Sequence, residues 1–160
     1  MRHIFLLDDN ILYHAIRGVD QQDNPDDTAA RLIQTIIKVC HSLVIHDVVR
    51  VRYIKILDRL KQERSRFLSP SYVFKQLLQR ADKRTLQYDD LPALPAEVKV
   101  PRKDEYLVQA GLISHPIIVT ADDKLRGAIR NQPALGLTAL SPQEALDSMG
   151  ENQGTKDPVG

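Results

Sequence analysis

Two short, unbroken apolar runs in this chain end on acidic residues. His3-Ile-Phe-Leu-Leu7 stops at Asp8-Asp9-Asn10, and Ile117-Ile-Val-Thr120 leads into Asp122-Asp123. A strand that meets water on one side alternates apolar with polar residues, whereas a strand covered on both faces reads as a continuous apolar run. Runs of this kind belong in a parallel sheet with helices on both faces. Residues 42–45 form another, and residues 135–140 read as a fourth strand. In such sheets the functional crevice lies beyond the carboxyl ends of the strands, which is where both acidic pairs fall.

Between these runs the apolar residues change to helical spacing. Residues 11–16 read as a turn or two of helix. Ala29, Leu32, Ile33, Ile36, Ile37 and Cys40 predict a longer one, started by Pro25 with Asp26 and Asp27 in its first turn. Val49, Tyr53, Ile56, Leu57 and Leu60 mark a helix over 47–64. Ser69 and Pro70 start another as N-cap and first helical residue. Residues 89–101 hold three prolines and read as a loop. Helices follow at 103–111, ended by Gly111, and at 125–130 and 142–149. The alternation predicts an α/β class domain, a three-layer α/β/α sandwich on a mainly parallel sheet of about four strands. The 160 residues fit one domain over 1–149, and the polar residues 150–160 predict a disordered tail.

Several function classes drop out. Cys40 is the only cysteine, so no internal disulfide forms and a reducing, cytoplasmic setting is expected. No apolar run nears the ~20 residues of a membrane helix, and the N-terminus lacks a signal-peptide pattern. No Gly-rich phosphate loop or nucleophile elbow appears. The five histidines show no metal-ligand spacing.

Asp8, Asp104 and Asp122 lie far apart in sequence, yet each falls at a strand end or in the first turn of a helix. For any one of them alone, capping a helix is the stronger explanation. Gathered at one sheet edge, three carboxylates would repel one another unless a proton or a cation joined them. A hard divalent ion, Mg²⁺ or Mn²⁺, takes oxygen ligands and keeps waters that can be polarised for attack on a phosphodiester.

The residues around these aspartates resemble the PIN-domain family. Leu6-Leu7-Asp8-Asp9-Asn10-Ile11-Leu12 resembles its opening Asp-x-Asn motif, and Asp104-Glu105-Tyr106-Leu107-Val108-Gln109-Ala110 its Asp-x-x-Leu-x-x-Ala helix. Val119-Thr120-Ala121-Asp122-Asp123-Lys124-Leu125 is similar to its Val-Thr-x-Asp-x-x-Leu motif. Ser141-Pro142-Gln143-Glu144-Ala145-Leu146 is similar to the ending of one subgroup. The resemblance implies a Mg²⁺- or Mn²⁺-dependent endoribonuclease, in many members the toxin of a toxin–antitoxin pair. It further implies RNA as substrate, a cognate antitoxin as partner and a homodimer. Asp8, Asp104 and Asp122 would then be metal ligands, with Asn10 and Thr120 holding them in place. Asp9 and Asp123 read as solvated neighbours.

One position departs from that family. Aligned on the pattern, Arg52 stands where a further acidic residue is expected, and Asp47 nearby reads as a helix N-cap. A cation there would weaken metal binding or contact the scissile phosphate, which opens the alternative of a catalytically degenerate PIN-fold module that binds RNA or protein. From Arg50 to Arg84 there are eleven basic and three acidic residues, a local charge of +8 on a chain of net charge +1. Arg50, Arg52, Lys55 and Arg59 are the candidate RNA contacts in this stretch. Tyr53, Phe67, Tyr72 and Phe74 are mainly core residues that could stack on bases. A receiver-like signalling domain, with Asp47 phosphorylated, is a remoter reading. The 73 residues between Asp47 and Thr120 exceed one βα unit and count against it.

Overall fold

A computed structural model describes residues 2–63 and 67–150. Of the expected tail over 150–160, residues 151–160 lie outside the described residues. Five strands, all parallel, form one sheet: β1 (Ile4–Leu7), β2 (Ser42–His46), β3 (Arg84–Gln87), β4 (Ile117–Val119) and β5 (Thr138–Leu140). Seven helices complete the three-layer sandwich: α1 (Asp9–Arg17), α2 (Thr28–Lys38), α3 (Asp47–Leu60), α4 (Pro70–Val73), α5 (Glu105–Ser114), α6 (Asp123–Arg130) and α7 (Pro142–Ser148). Among the described residues, no helix is long and apolar enough to cross a membrane.

The strand order is β3-β2-β1-β4-β5. From β1 the chain winds outward through β2 to β3, then returns to lay β4 against the other side of β1. The winding direction therefore reverses between β1 and β4, and a crevice opens there at the carboxyl ends. A receiver domain has the order 2-1-3-4-5, so the topology speaks against that reading. Phe5, Leu6 and Leu7 on β1 and Ile118 and Val119 on β4 are fully buried, as continuous apolar runs require.

The strand over 84–87 is one more than the sequence reading supplied. It is an edge strand of sequence Arg-Thr-Leu-Gln, half covered, and so carries no apolar run to announce it. The last strand is shorter than expected, because Pro133–Leu135 form a 3₁₀ turn before it. Pro25 does not begin a helix. It pairs with Val19 in an isolated bridge, and the helix starts at Thr28, whose N–H donates to Asp26 Oδ1 at 2.8 Å. Gly111 does not end α5 either. That helix runs on to Ser114 and closes at His115 in the left-handed region (φ 54°). Gly111 lies inside it against β4, where a Cβ would stand 2.9 Å from Ile118 Cδ1 and force that methyl to shift.

Other local signals hold. Ser69 caps α4 by accepting from Tyr72 N–H, with Pro70 at the first position. Ser141 and Glu144 form a reciprocal capping box on α7, which gives a physical reason for the Ser-Pro-x-Glu spacing. The cap of α3 is not Asp47 but His46, whose Nδ1 accepts from Val48 N–H at 3.1 Å. Its Nε2 lies 2.6 Å from the Asp89 carbonyl.

Lys83, counted above in the basic stretch, is buried. Its Nζ donates to the carbonyls of Ile36 (2.7 Å), Val39 and His41 (3.2 Å), tying the end of α2 to the start of β2. Burial holds its pKa below the ordinary lysine value. Lys83→Met removes the donor and leaves these carbonyls short of partners. It should lower stability by about 2 kcal/mol, read as a shift of the urea midpoint at unchanged slope. An unshifted midpoint would show that this ammonium holds nothing together.

Candidate functional site

The carboxyl ends of β1 and β4 deliver the first two aspartates. Asp8 follows Leu7 directly, its N–H bonded to the Val119 carbonyl at 2.9 Å. Tyr53, fully buried on α3, donates its hydroxyl to the Leu7 carbonyl and so pins the chain just before Asp8. The backbone turns into α1 at this point, but the Asp8 side chain makes no capping bond. It accepts instead from Thr120 Oγ1 at 2.6 Å. Thr120, itself fully buried, accepts from Asp122 N–H at 3.1 Å. One hydroxyl thus links the two strand ends.

Asp104 arrives from a 3₁₀ turn (Arg102–Asp104) ahead of α5. It too stands at a helix start without capping, and its Oδ2 is buried with no hydrogen-bond partner in the protein. Asp122 is different. It caps α6 in the ordinary way, Oδ1 accepting from Lys124 and Leu125 N–H. The helix-cap explanation therefore accounts for Asp122 and fails for Asp8 and Asp104.

These residues share one cavity of about 380 Å³, lined by Asp8, Asp9, Asp104, Asp122, Arg52 and Tyr106 among others. Burial, chiefly, pushes the Asp8 carboxyl up to about 7, against the lowering effect of the Thr120 bond; Asp9 and Asp104 push it further. Burial likewise raises Asp104, opposed by Lys103 and assisted by Asp122 and Asp9. Asp104 thus acts on Asp8, and Asp122 on Asp104. Even so, among the described residues no group of three or more His, Cys, Asp or Glu side chains is gathered into a metal-holding cluster. The donor chemistry suits a hard divalent cation: carboxylate oxygens, one buried and unpartnered, on carboxyls that resist ionising while no cation is near. Asp8 and Asp104 are the residues best able to hold it. Asp122 could join through Oδ2, which lies 3.8 Å from Lys103 Nζ.

Two cations complete the electrostatics. Arg52 sits 3.7 Å from Asp9 and lies on the Tyr106 ring at 3.8 Å. Asp9 is therefore half-buried and paired rather than merely solvated, whereas Asp123 is exposed and pairs with Arg126. Asn10 lines the same cavity, and its buried Oδ1 has no partner in the protein.

Of the four basic candidates, Arg52, Lys55 and Arg59 line a second and larger cavity of about 750 Å³ between α1 and α3. It shares Asp9, Asn10 and Arg52 with the acidic one. Arg50 is not among them; it pairs with Asp47 at 3.6 Å. Four other residues of the basic stretch have partners within the fold. Lys83 is buried, Lys61 pairs with Asp58, Arg80 pairs with Asp82, and Arg84 donates to the Leu78 carbonyl. Arg64 and Arg66 lie outside the described residues. Of the aromatic candidates Tyr53 is core, and none lines either cavity. The rings that do are Tyr13 and Tyr106, which the sequence reading did not single out. Their signal was spacing: Tyr13 is one helical turn beyond Asp9, and Tyr106 two residues beyond Asp104.

No protein-family model matches the chain, and no curated protein is significantly similar to it.

The raised Asp8 carboxyl sets a pH dependence. A group with a higher pKa folded than unfolded binds more protons in the native state, so its contribution to stability is present at low pH and is lost as pH rises from about 4 to about 7. His14 and His41, both lowered mainly by burial, act in the opposite sense, losing stability as pH falls through the histidine range, so the test is a difference. Without divalent ions, Asp8→Asn should gain on the wild type between pH 5 and pH 8, by roughly 2.5 kcal/mol. Denaturant unfolding at the two pH values measures this. A constant or shrinking difference contradicts a buried, reluctantly ionised Asp8.

Proposed function

We propose that this chain is a PIN-like, Mg²⁺- or Mn²⁺-dependent endoribonuclease whose reaction centre is the cavity between the ends of β1 and β4. The observation that carries the reading is the pair of carboxylates, Asp8 and Asp104, held at helix starts without capping and raised by burial. Their cost to the fold has a purpose if a cation is to be held there. The four motifs and their order along the chain support the family, and with it RNA as the substrate.

A divalent cation at this site supplies Lewis acidity, a lowered pKa for bound water and charge neutralisation at the phosphate. The chain's own groups do the rest. Asp8, Asp104 and Asp122 hold the cation. Thr120 fixes the Asp8 carboxylate by donating to Oδ2. Arg52 brings a fixed positive charge to the mouth of the cavity, where a guanidinium can pair with a phosphate in fork geometry. The stack on Tyr106 fixes the plane of that guanidinium. Lys55 and Arg59 continue the positive surface along α3 and seat the backbone of the RNA. A homodimer and a protein antitoxin are part of the same reading, carried by the family alone.

A second reading has its own observation. Among the described residues the acidic groups are not gathered into a cluster, and Arg52 stands beside Asp9 as a built-in cation. On that reading the fold binds RNA and does not cut it.

Cleavage of mixed single-stranded and structured RNAs with Mn²⁺, Mg²⁺ or EDTA separates the two. The nuclease reading expects metal-dependent cutting by the wild type and none by Asp8→Asn or Asp104→Asn. Thr120→Val, which keeps the shape and loses the hydroxyl, should slow cutting roughly 10- to 100-fold. Cutting that survives in both Asn variants would remove the site from the reaction. Binding without cutting by every form would favour the second reading.

A further inference from the structure

The larger cavity differs from a plain basic surface in what lies between its charges. Tyr13, half-buried and packed against the core, lines it together with Val48, Val51 and Ile56. Val48 is 38% exposed and Val51 52%, two branched apolar side chains in water beside three cations. A surface meant only for solubility has no use for them.

Arg17 and Arg59 approach the Tyr13 ring from α1 and α3, with guanidinium carbons 5.6 and 5.4 Å from its centroid. That is well beyond the 3.8 Å of the Arg52–Tyr106 stack. Both guanidiniums lie over the ring, more loosely than Arg52 lies over Tyr106. A flat apolar platform set between paired cations has the composition that takes an unpaired nucleotide, base on the ring and phosphates on the guanidiniums. Tyr13 and Asp9 are four residues apart on α1, hence on one face and about 6 Å apart along the axis. An unstacked nucleotide spans that distance.

Resting on the ribonuclease reading above, we infer that this groove is a base-binding subsite. Tyr13 stacks one unpaired base next to the phosphate that enters the acidic cavity, and Arg59 and Lys55 hold the flanking backbone. Tyr13 is thereby a positioning residue for the cut: it sets which phosphate reaches the aspartates, and it requires the base at that step to be out of a duplex.

The test is binding of a short fluorescein-labelled single-stranded RNA of mixed sequence in EDTA, read by anisotropy at fixed salt, with wild type, Tyr13→Leu and Tyr13→Phe. The Leu variant keeps the packing without the ring, and the Phe variant keeps the ring. Binding should weaken roughly tenfold in Tyr13→Leu and hold in Tyr13→Phe. An abasic residue walked along the RNA should weaken wild-type binding at one register and leave Tyr13→Leu indifferent to it. Equal binding by all three proteins overturns the inference, as does an abasic profile that is the same with and without the ring. Weakening by Lys55→Glu alone also overturns it, since the groove is then only a charged surface. Because the assay contains no divalent ion, it stands apart from cleavage. A ring-dependent subsite on a chain that never cuts RNA would refute the nuclease and keep the subsite, and cutting that ignores Tyr13 would do the reverse.

Discussion

The hydrogen bond from Thr120 to Asp8 is the contact on which the site depends. It joins the carboxyl ends of two central strands that are far apart in sequence, at the place where the sheet reverses its winding. A carboxylate buried there would otherwise be destabilised by lost hydration, and one hydroxyl offsets only part of that loss. The same hydroxyl receives Asp122 N–H, so the position of one strand end is transmitted to the start of α6. Tyr53 performs the corresponding task from the other side by bonding to the Leu7 carbonyl. The sheet edge is therefore rigid where the acids sit, and its geometry is fixed before any ligand arrives.

Around this edge the chain arranges opposite charge with unequal strength. Lys103 is mostly exposed and 3.8 Å from Asp122, a distance at which a solvated pair contributes little. Arg52 is held more firmly, by the Tyr106 ring as well as by Asp9. Neither offsets the burial that, with Asp9 and Asp104 behind it, keeps the Asp8 carboxyl raised. The protein thus keeps a partly uncompensated negative site next to a groove of positive charge, the division expected where a cation and a phosphate must meet.

Much of this was legible in the sequence for a specific reason. Buried parallel strands carry unbroken apolar runs, and Ile4–Leu7 and Ile117–Val119 announce themselves in that way. The acids that follow them are placed by the chain direction alone. What escaped was decided by tertiary contacts. The edge strand Arg84–Gln87 is covered on too little of its surface to need apolar residues. Gly111 looked like a helix end because its packing against Ile118 is invisible in one dimension. Lys83 looked like surface charge until three carbonyls gathered round it. The basic stretch suffered most. Local charge says nothing about which guanidiniums already have partners, and only Arg52, Lys55 and Arg59 of the four expected contacts share a cavity. The capping explanation divided as only side-chain geometry can show, holding for Asp122 and not for Asp8 or Asp104.

The claim beneath all of this is that the buried carboxylates exist to hold a divalent cation. Thermal unfolding with and without Mn²⁺ at pH 7.5 addresses it without reference to any substrate. A ligand that binds only the folded chain stabilises it by about 2.7 kcal/mol at a hundredfold excess over its Kd. The account predicts a rise in Tm that grows with Mn²⁺ concentration in the wild type and is absent in Asp8→Asn and Asp104→Asn. A wild-type Tm indifferent to Mn²⁺ and Mg²⁺, or the same rise in the two variants, would contradict it.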